Sequence, residues 1–173
     1  IWFGGPDSPL HFTQQPWRLI TYGFMHGGLM HLLFNAMALM QIGPLIERSF
    51  GAARTLAFWV LTSALSIALP ALLTQWATRM TVGASGAIFG LIGVAMAYGH
   101  RVGTAQGRVI RKKMIEWTVI CTLFGMMMGN VAHEAHFGGL LSGAALSFVL
   151  TPPKRFSSRD PLASLLLMGG ALV

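Results

Sequence analysis

Three short stretches of the sequence carry side chains that could do chemistry together. Ser85 lies between glycines in TVGASGAIFG, and a serine hydroxyl becomes a nucleophile when a neutral imidazole takes its proton. His136 in HEAHFGGLLSG can supply that imidazole. His31 and Asn35 are four residues apart, hence on one helical face, and can donate hydrogen bonds to the oxyanion of acyl transfer. Together these residues predict a serine hydrolase with a Ser-His dyad.

These side chains have to be positioned by helices that cross a membrane. Of the 173 residues, 54% are hydrophobic and only 10% are charged, with a mean hydropathy of +0.62, which excludes an ordinary soluble domain. Uncharged runs, most of them close to the ~20 residues that a bilayer requires, predict an all-α membrane domain with five spanning helices. The runs are 19–46, 55–78, 80–99, 117–132 and 137–153.

The basic residues predict the orientation of these helices. The formal net charge is +7, but Lys and Arg lie in short connections and not on a patch with interleaved aromatic residues, so the charge does not indicate nucleic acid as a partner. Alternate connections carry ten and two basic residues, and the positive-inside rule places the richer set in the cytoplasm. The cytoplasmic segments are those with Arg48, with 101–113 and with Lys154; the outer ones are the start of the chain, the Arg79 connection and 130–134.

In this orientation the residues that could do chemistry share one depth. Ser85 falls within about two turns of the outer end of its helix, and His136 lies at a similar depth in the last helix. His31 and Asn35 lie near the outer end of the first helix. Polar groups inside a membrane are costly and usually mark function. His26 is five residues before His31, so we expect it to point elsewhere.

Glycines predict close contact between the helices that carry Ser85 and His136. Small residues at helical spacing let two membrane helices approach each other. One such stripe is Gly86, Gly90 and Gly93, and the other is Gly139 and Gly143. If the stripes pack on each other, Ser85 and His136 become neighbours. Phe89, one turn below Ser85, is then placed to stack on the imidazole.

The acidic residues do not predict a triad. Three of the five fall on the predicted cytoplasmic side: Glu47, Glu116 and Asp160. Asp7 precedes the first predicted helix. Glu134 is only two residues from His136 and faces away from it on a helix. A dyad is therefore the more economical interpretation, and it needs no metal or organic cofactor.

Other interpretations of the single motifs stay open. Small residues around a serine are, taken alone, most often a packing device in membrane helices. The segment from His133 to His136 reads H-E-x-H, one residue short of the H-E-x-x-H zinc motif. A metal site remains an alternative because histidine is a common metal ligand. It would draw on His26, His31, His133 and His136.

Four motifs occur in order along the chain: PWRLITYGFMHGGLMHLLFN, LIERSFG, GASGAIFGLIG and AHFGGLLSG. In these motifs the sequence resembles the rhomboid intramembrane serine proteases over nearly its whole length. The resemblance implies Ser85 as nucleophile and His136 as general base. It also implies an oxyanion site formed by His31, Asn35 and the backbone amide of Ser85.

The resemblance also implies a set of supporting residues: Trp17, Arg18, His26, Glu47, Gly83, Gly86 and Phe89. Trp17 and Arg18 match a Trp-Arg pair in an outer loop partly sunk in the membrane. Glu47 matches a structural glutamate at the inner end of a helix. Phe89 stands where relatives often have tyrosine, which keeps the stacking face and removes the hydroxyl.

The rhomboid core has six spanning helices, and its first is expected upstream of Ile1. Residues 1–173 are thus interpreted as a single rhomboid-like membrane domain with five of the six helices, and its last part, 154–173, as a tail. The implied activity is cleavage of the transmembrane segments of other membrane proteins near the outer face of a bacterial inner membrane. Two alternatives from other classes are a non-catalytic rhomboid relative that binds membrane proteins and a small transporter or metal-ion carrier.

Overall fold

The computed structural model describes residues 14–74, 81–129 and 131–151. Over these residues the chain is helical and contains no strand, so the all-α prediction is confirmed. A short helix, α1 (Arg18–Thr21), leads into a 3-10 turn (Tyr22–Phe24). The long helices are α2 (Leu29–Phe50), α3 (Ala52–Thr74), α4 (Ser85–Val102), α5 (Ala105–Met128) and α6 (His133–Val149).

The predicted start of the first long helix is wrong. The uncharged run begins at residue 19, but α2 begins only at Leu29, because Gly27 and Gly28 interrupt the helix and glycine is the weakest helix former after proline. His26 therefore lies before the helix and not within it. Residues 18–24 form the separate α1 and 3-10 segment, which packs on α3.

The predicted length of the connection at 101–113 is also wrong. The connection between α4 and α5 is short, and Thr104 caps α5 by accepting a hydrogen bond from the Gly107 amide at 3.1 Å. The basic residues therefore form the first turns of α5: Arg108, Arg111, Lys112 and Lys113. Lys and Arg favour helices, and their long side chains can carry the charge away from the helix axis, so a charge does not end a helix.

Two of the helices are long and apolar enough to cross a membrane by themselves, among the residues that the structure describes: Leu29–Phe50 and Ala52–Leu72. The other long helices depart from that pattern for visible reasons. α4 carries glycines and has His100 and Arg101 in its last turn, α5 begins with basic turns, and α6 has 17 residues. The predictions for the Arg79 connection, for Asn130 and for the tail 154–173 lie outside the described residues.

α4 is the central helix of the bundle. It contacts each of the other long helices, and residues along nearly its whole length are buried. The predicted packing of the two glycine stripes is confirmed, because a Cβ on Gly139 would collide with the carbonyl oxygen of Gly86, and one on Gly143 with that of Gly90. Backbone thus lies directly on backbone where α4 crosses α6, which fixes the separation of the residues at the N-terminal ends of the two helices. These N-terminal ends, at Ser85 and His133, are called the outer ends, and the C-terminal ends, at Val102 and Val149, the inner ends, after the orientation that the basic residues predict.

Candidate active site

Ser85 and His136 meet at the outer ends of α4 and α6. Ser85 is the first residue of α4, and His136 lies in the first turn of α6 with 7% of its surface exposed. The Nε2 atom of His136 lies 2.8 Å from the Oγ atom of Ser85, within hydrogen-bond distance. The ring of Phe89 stacks on the imidazole, with centroids 4.2 Å apart and planes inclined by 8°. Stacking and hydrogen bond together hold the imidazole in one orientation toward the hydroxyl.

The hydrogen bonding of His136 fits a base that works without a carboxylate. If Ser85 donates its hydroxyl proton to Nε2, the neutral ring carries its own proton on Nδ1. Nδ1 is buried and has no hydrogen-bond partner among the residues that the structure describes. The arrangement in this part of the chain is therefore a serine and a histidine without a third member.

His31 and Asn35 pack against the turn that leads into Ser85. Gly83, two residues before the serine, has a φ of +112°, a backbone conformation that side chains disfavour. A Cβ at this position would lie 2.6 Å from Cε1 of His31 and 3.6 Å from Nδ2 of Asn35. Gly83 is thus required both for its backbone angle and for the close approach of α2.

The hydrogen bonds of α2 leave donors for the site. Nδ1 of His31 accepts a hydrogen bond from the Gly27 amide at 3.4 Å, so the neutral ring carries its proton on Nε2, the nitrogen on the Gly83 side. Asn35 is buried and donates one hydrogen bond from Nδ2 to the His31 carbonyl at 3.0 Å. Among the residues that the structure describes, that amide nitrogen has no second acceptor, so its other hydrogen can serve a ligand.

The position of His26 corrects one prediction. We expected it to point away from His31, but the two rings are in edge contact, with centroids 5.2 Å apart. The spacing argument assumed a continuous helix, whereas the chain at Gly27 and Gly28 is not helical. His26 also hydrogen-bonds through Nδ1 to the Phe24 carbonyl at 3.3 Å.

A second histidine pair lies on α6. The ring of His133 meets the ring of His136 edge-on, with centroids 5.9 Å apart. Within the described residues, however, no group of three or more His, Cys, Asp or Glu side chains is arranged to hold a metal ion. The four histidines form two edge-contact pairs there, and the structure does not assemble them into the metal-ligand set of the alternative interpretation.

Comparison with known proteins identifies the family. The family model described as "Rhomboid domain" matches residues 13–153. The chain belongs to the rhomboid family. Its fold is the all-α bundle of that family, and like other rhomboids it is an integral membrane protein.

Several curated proteins are similar to this rhomboid chain. It is 34% identical over 159 residues to RHOMBOID-like protein 5 of Arabidopsis thaliana, covering 91% of the chain and 52% of that protein. It is 30% identical to Rhomboid protease GluP of Bacillus subtilis (strain 168), covering 96% and 32%, and 30% identical to Rhomboid protease GlpG of Klebsiella pneumoniae (strain 342), covering 87% and 54%. The chain thus spans between about a third and about half of the length of these relatives.

The other residues to which the resemblance assigns a supporting role lie at both ends of the bundle. Arg18 is buried, and its Nε donates to Oε1 of Gln15 at 2.5 Å, whereas 48% of the Trp17 surface is exposed. Glu47 is exposed in the last turn of α2, and its carbonyl accepts a hydrogen bond from the Gly51 amide at 2.7 Å. Neither Glu47 nor Trp17 makes part of the group around Ser85.

Three residues near the site were not singled out from the sequence: Tyr22, Ser63 and Ser66. All are buried, and the two serines lie on α3, one turn apart. The hydroxyls of Thr62, Ser63 and Ser66 interrupt an apolar stretch of this helix, and that is a signal that the sequence does contain. Their partner Tyr22 lies more than 40 residues away, and helical spacing cannot reveal that pairing.

Proposed function

We propose that the protein is an intramembrane serine endopeptidase that cleaves transmembrane segments of other membrane proteins through the dyad of Ser85 and His136. The observation that carries this proposal is the 2.8 Å contact between the Ser85 hydroxyl and the His136 imidazole, with His31 and Asn35 beside the turn before the serine. Membership of the rhomboid family supports the same class of activity, since GluP and GlpG are named rhomboid proteases.

In the first step Ser85 Oγ attacks the carbonyl carbon of the scissile peptide bond while His136 Nε2 accepts the hydroxyl proton. The carbonyl π bond opens and the oxygen takes up the negative charge. When this intermediate collapses, the C–N bond breaks and His136 returns the proton to the leaving amine. The products are an acyl ester on Ser85 and the released amine half of the substrate.

In the second step a water molecule replaces the amine. His136 accepts a proton from the water, whose oxygen attacks the ester carbonyl, and then gives the proton to Ser85 Oγ as the ester bond breaks. The carboxyl half leaves and the dyad is restored. Water must therefore reach the outer ends of α4 and α6, which is the reason for a site close to the membrane surface.

The oxyanion of both intermediates needs donors that are already in place. Nε2–H of His31 and the spare hydrogen of the Asn35 amide face the turn at Gly83. The Ser85 amide lies in the first turn of α4, where N–H groups have no partner within the helix. Each well-placed donor of this kind is worth roughly 2.7 to 4 kcal/mol in the transition state.

The substrate has to unwind before it can be cut. A peptide bond inside an intact helix has its carbonyl hydrogen-bonded within the helix, which shields it from Ser85. We therefore propose substrates whose transmembrane helix carries small or helix-weakening residues near the outer face. The proposed setting is a bacterial inner membrane with the site facing the outer side, because the basic residues cluster toward the opposite ends of the helices.

The test is covalent labelling of the full-length protein in detergent with a fluorophosphonate. Wild type is expected to label, and Ser85→Ala and His136→Ala are expected not to. Ser142→Ala is the matched control, because this buried serine on the helix of His136 donates to the Gly139 carbonyl and not to the dyad. The dyad would be excluded if the folded wild type did not label, or if Ser85→Ala labelled as strongly as wild type.

A further inference from the structure

A buried hydroxyl network lies behind the nucleophile, where the 3-10 turn meets α3. The hydroxyl of Tyr22 lies 2.6 Å from Ser66 Oγ and 2.9 Å from the Ser63 carbonyl oxygen. Ser66 Oγ in turn donates to the same carbonyl at 2.7 Å. Two hydroxyl protons are thus shared among three oxygen atoms, and 1% of the Tyr22 surface is exposed.

This network touches the chain on both sides of Ser85. The carbonyl of Tyr22 accepts a hydrogen bond at 3.0 Å from the amide of Gly83, two residues before the serine. On the other side, a Cβ added to Gly86 would lie 2.5 Å from Ser66 Oγ and 2.8 Å from the Tyr22 hydroxyl oxygen. One residue therefore holds the turn before the nucleophile through its backbone and the helix after it through its side chain.

The same network reaches the helix of the general base. A Cβ added to Gly138, two residues after His136, would lie 2.6 Å from the Ser66 carbonyl oxygen and 3.1 Å from the ring of Pro70. Ser66 therefore lies between α4 and α6, in direct contact with a glycine of each helix. A movement of Ser66 or Tyr22 would change the spacing of the two helices that carry the dyad.

We propose that Tyr22 is a positioning residue that sets the placement of Ser85 relative to His136. The inference rests on the proposed function, because the distance it controls is that of the dyad. The Tyr22 hydroxyl bonds to α3 and not to α4, so it fixes the height of the ring over Gly86 without attaching to the nucleophile's helix. Placement matters because a catalytic group that is misplaced by 1 Å can cost about a hundredfold in rate.

Tyr22→Phe tests this role without disturbing the fold. Phenylalanine fills the same ring volume and keeps the backbone bond to Gly83. Ser66 keeps its hydrogen bond to the Ser63 carbonyl, so no buried donor loses its partner. The matched control is Tyr98→Phe, at the only other tyrosine, whose ring meets Phe50 edge-on, 5.2 Å between centroids, near the inner end of α4.

The first measurement is the kinetics of the full-length variants on a transmembrane peptide substrate, together with the rate constant of fluorophosphonate labelling at Ser85. We expect Tyr22→Phe to lower both kcat and the labelling rate on the order of tenfold, with KM changed less than twofold. Ser66→Ala should act through the same network, so the double variant should be no slower than the slower single one. Tyr98→Phe should match wild type in both rates.

The second measurement is amide hydrogen exchange of the segment 82–89, which does not depend on activity. Exchange there should be faster in Tyr22→Phe than in wild type and unchanged in Tyr98→Phe. Wild-type exchange and labelling in Tyr22→Phe would overturn the positioning role. If exchange responds to Tyr22→Phe while wild type fails to label, the proposed protease function falls, and with it the role in catalysis. Equal losses of rate and melting temperature in both tyrosine variants would reduce Tyr22 to a packing residue and overturn the inference.

Discussion

The outer and inner ends of the pair of helices α4 and α6 are surrounded by different types of residue. At the outer end the helices carry Ser85 and His136, and the surroundings are glycines, hydroxyls and imidazoles. At the inner end apolar and aromatic side chains of neighbouring helices pack on α4: Phe50 meets Tyr98 edge-on at 5.2 Å between ring centroids. The outer end thus holds the polar groups of the pair, and the inner end adds aromatic packing.

The inner end also has a polar clamp between the two helices. Arg101 near the end of α4 donates a hydrogen bond to the Ser147 carbonyl on α6, and its guanidinium lies 5.1 Å from the centroid of the Phe148 ring. A charged donor and a cation–π contact both stabilise the pair at the end away from Ser85 and His136. The comparison teaches that contacts which stabilise the two helices at one end allow polar side chains to keep fixed positions at the other end.

The largest expected effect comes from forcing the two helices apart. Gly139→Ala places a methyl group against the Gly86 carbonyl, one residue from Ser85, so α4 and α6 must separate. We expect activity to fall by about a hundredfold or more and the melting temperature to decrease. The measurements are labelling per folded molecule and thermal unfolding.

The control for that variant is Gly43→Ala, in the interior of α2. Among the described residues the added methyl group there meets only Leu39 Cδ1, at an ordinary 3.6 Å. It should leave activity unchanged and leave stability equal or higher, since alanine favours a helix over glycine. If Gly139→Ala were as harmless as Gly43→Ala, the backbone contact would not be what sets the distance between Ser85 and His136.

The next effect comes from removing the proposed oxyanion donors. His31→Ala and Asn35→Ala should each lower kcat by about 10²- to 10³-fold with little change in melting temperature, since each donor acts mainly in the transition state. The matched control is His100→Ala, an exposed histidine near the inner end of α4 whose Nδ1 lies 3.0 Å from the Arg111 guanidinium. A rise in KM with kcat unchanged would show that these residues bind substrate and do not stabilise the intermediate.

The glycine stripes show what the sequence could predict. A spacing of three and four residues repeats along a single helix, so the stripes of α4 and α6 could be read directly, and with them the meeting of Ser85 and His136. The stacking of Phe89 on the imidazole followed from the same helical geometry. The family motifs added the resemblance, which the match to residues 13–153 bears out.

The errors arose where helical spacing does not apply. His26 and Tyr22 lie in the segment before α2, where the backbone is not a continuous helix, so neither the contact of His26 with His31 nor the bond of Tyr22 to Gly83 could be found by counting residues. The uncharged run begins at residue 117, whereas α5 begins at Ala105, because Arg108 and its neighbours form helical turns and charge does not mark a helix boundary. Tertiary hydrogen bonds between distant segments are the part that a pattern cannot supply.

A smaller effect, and one of a different kind, is expected at the inner clamp. Arg101→Leu removes the hydrogen bond to the Ser147 carbonyl and the contact with Phe148. The free energy of unfolding should fall by about 2 kcal/mol, while the labelling rate per folded molecule stays within twofold of wild type. A large fall in that rate would mean that the inner end also sets the geometry of the dyad, and the division between the two ends would be wrong.

The smallest effect is expected from Phe89→Tyr. The ring of Phe89 stacks on His136 through its face, and a tyrosine presents the same face at the same position, so the orientation of the imidazole is kept. We expect kcat to change less than twofold, whereas Phe89→Ala removes the stack and should lower kcat by several-fold. A fall in Phe89→Tyr as large as that in Phe89→Ala would show that the site responds to the added hydroxyl and not to the stacking face. The outer end would then depend on which polar atoms surround the imidazole more than on how its ring is packed.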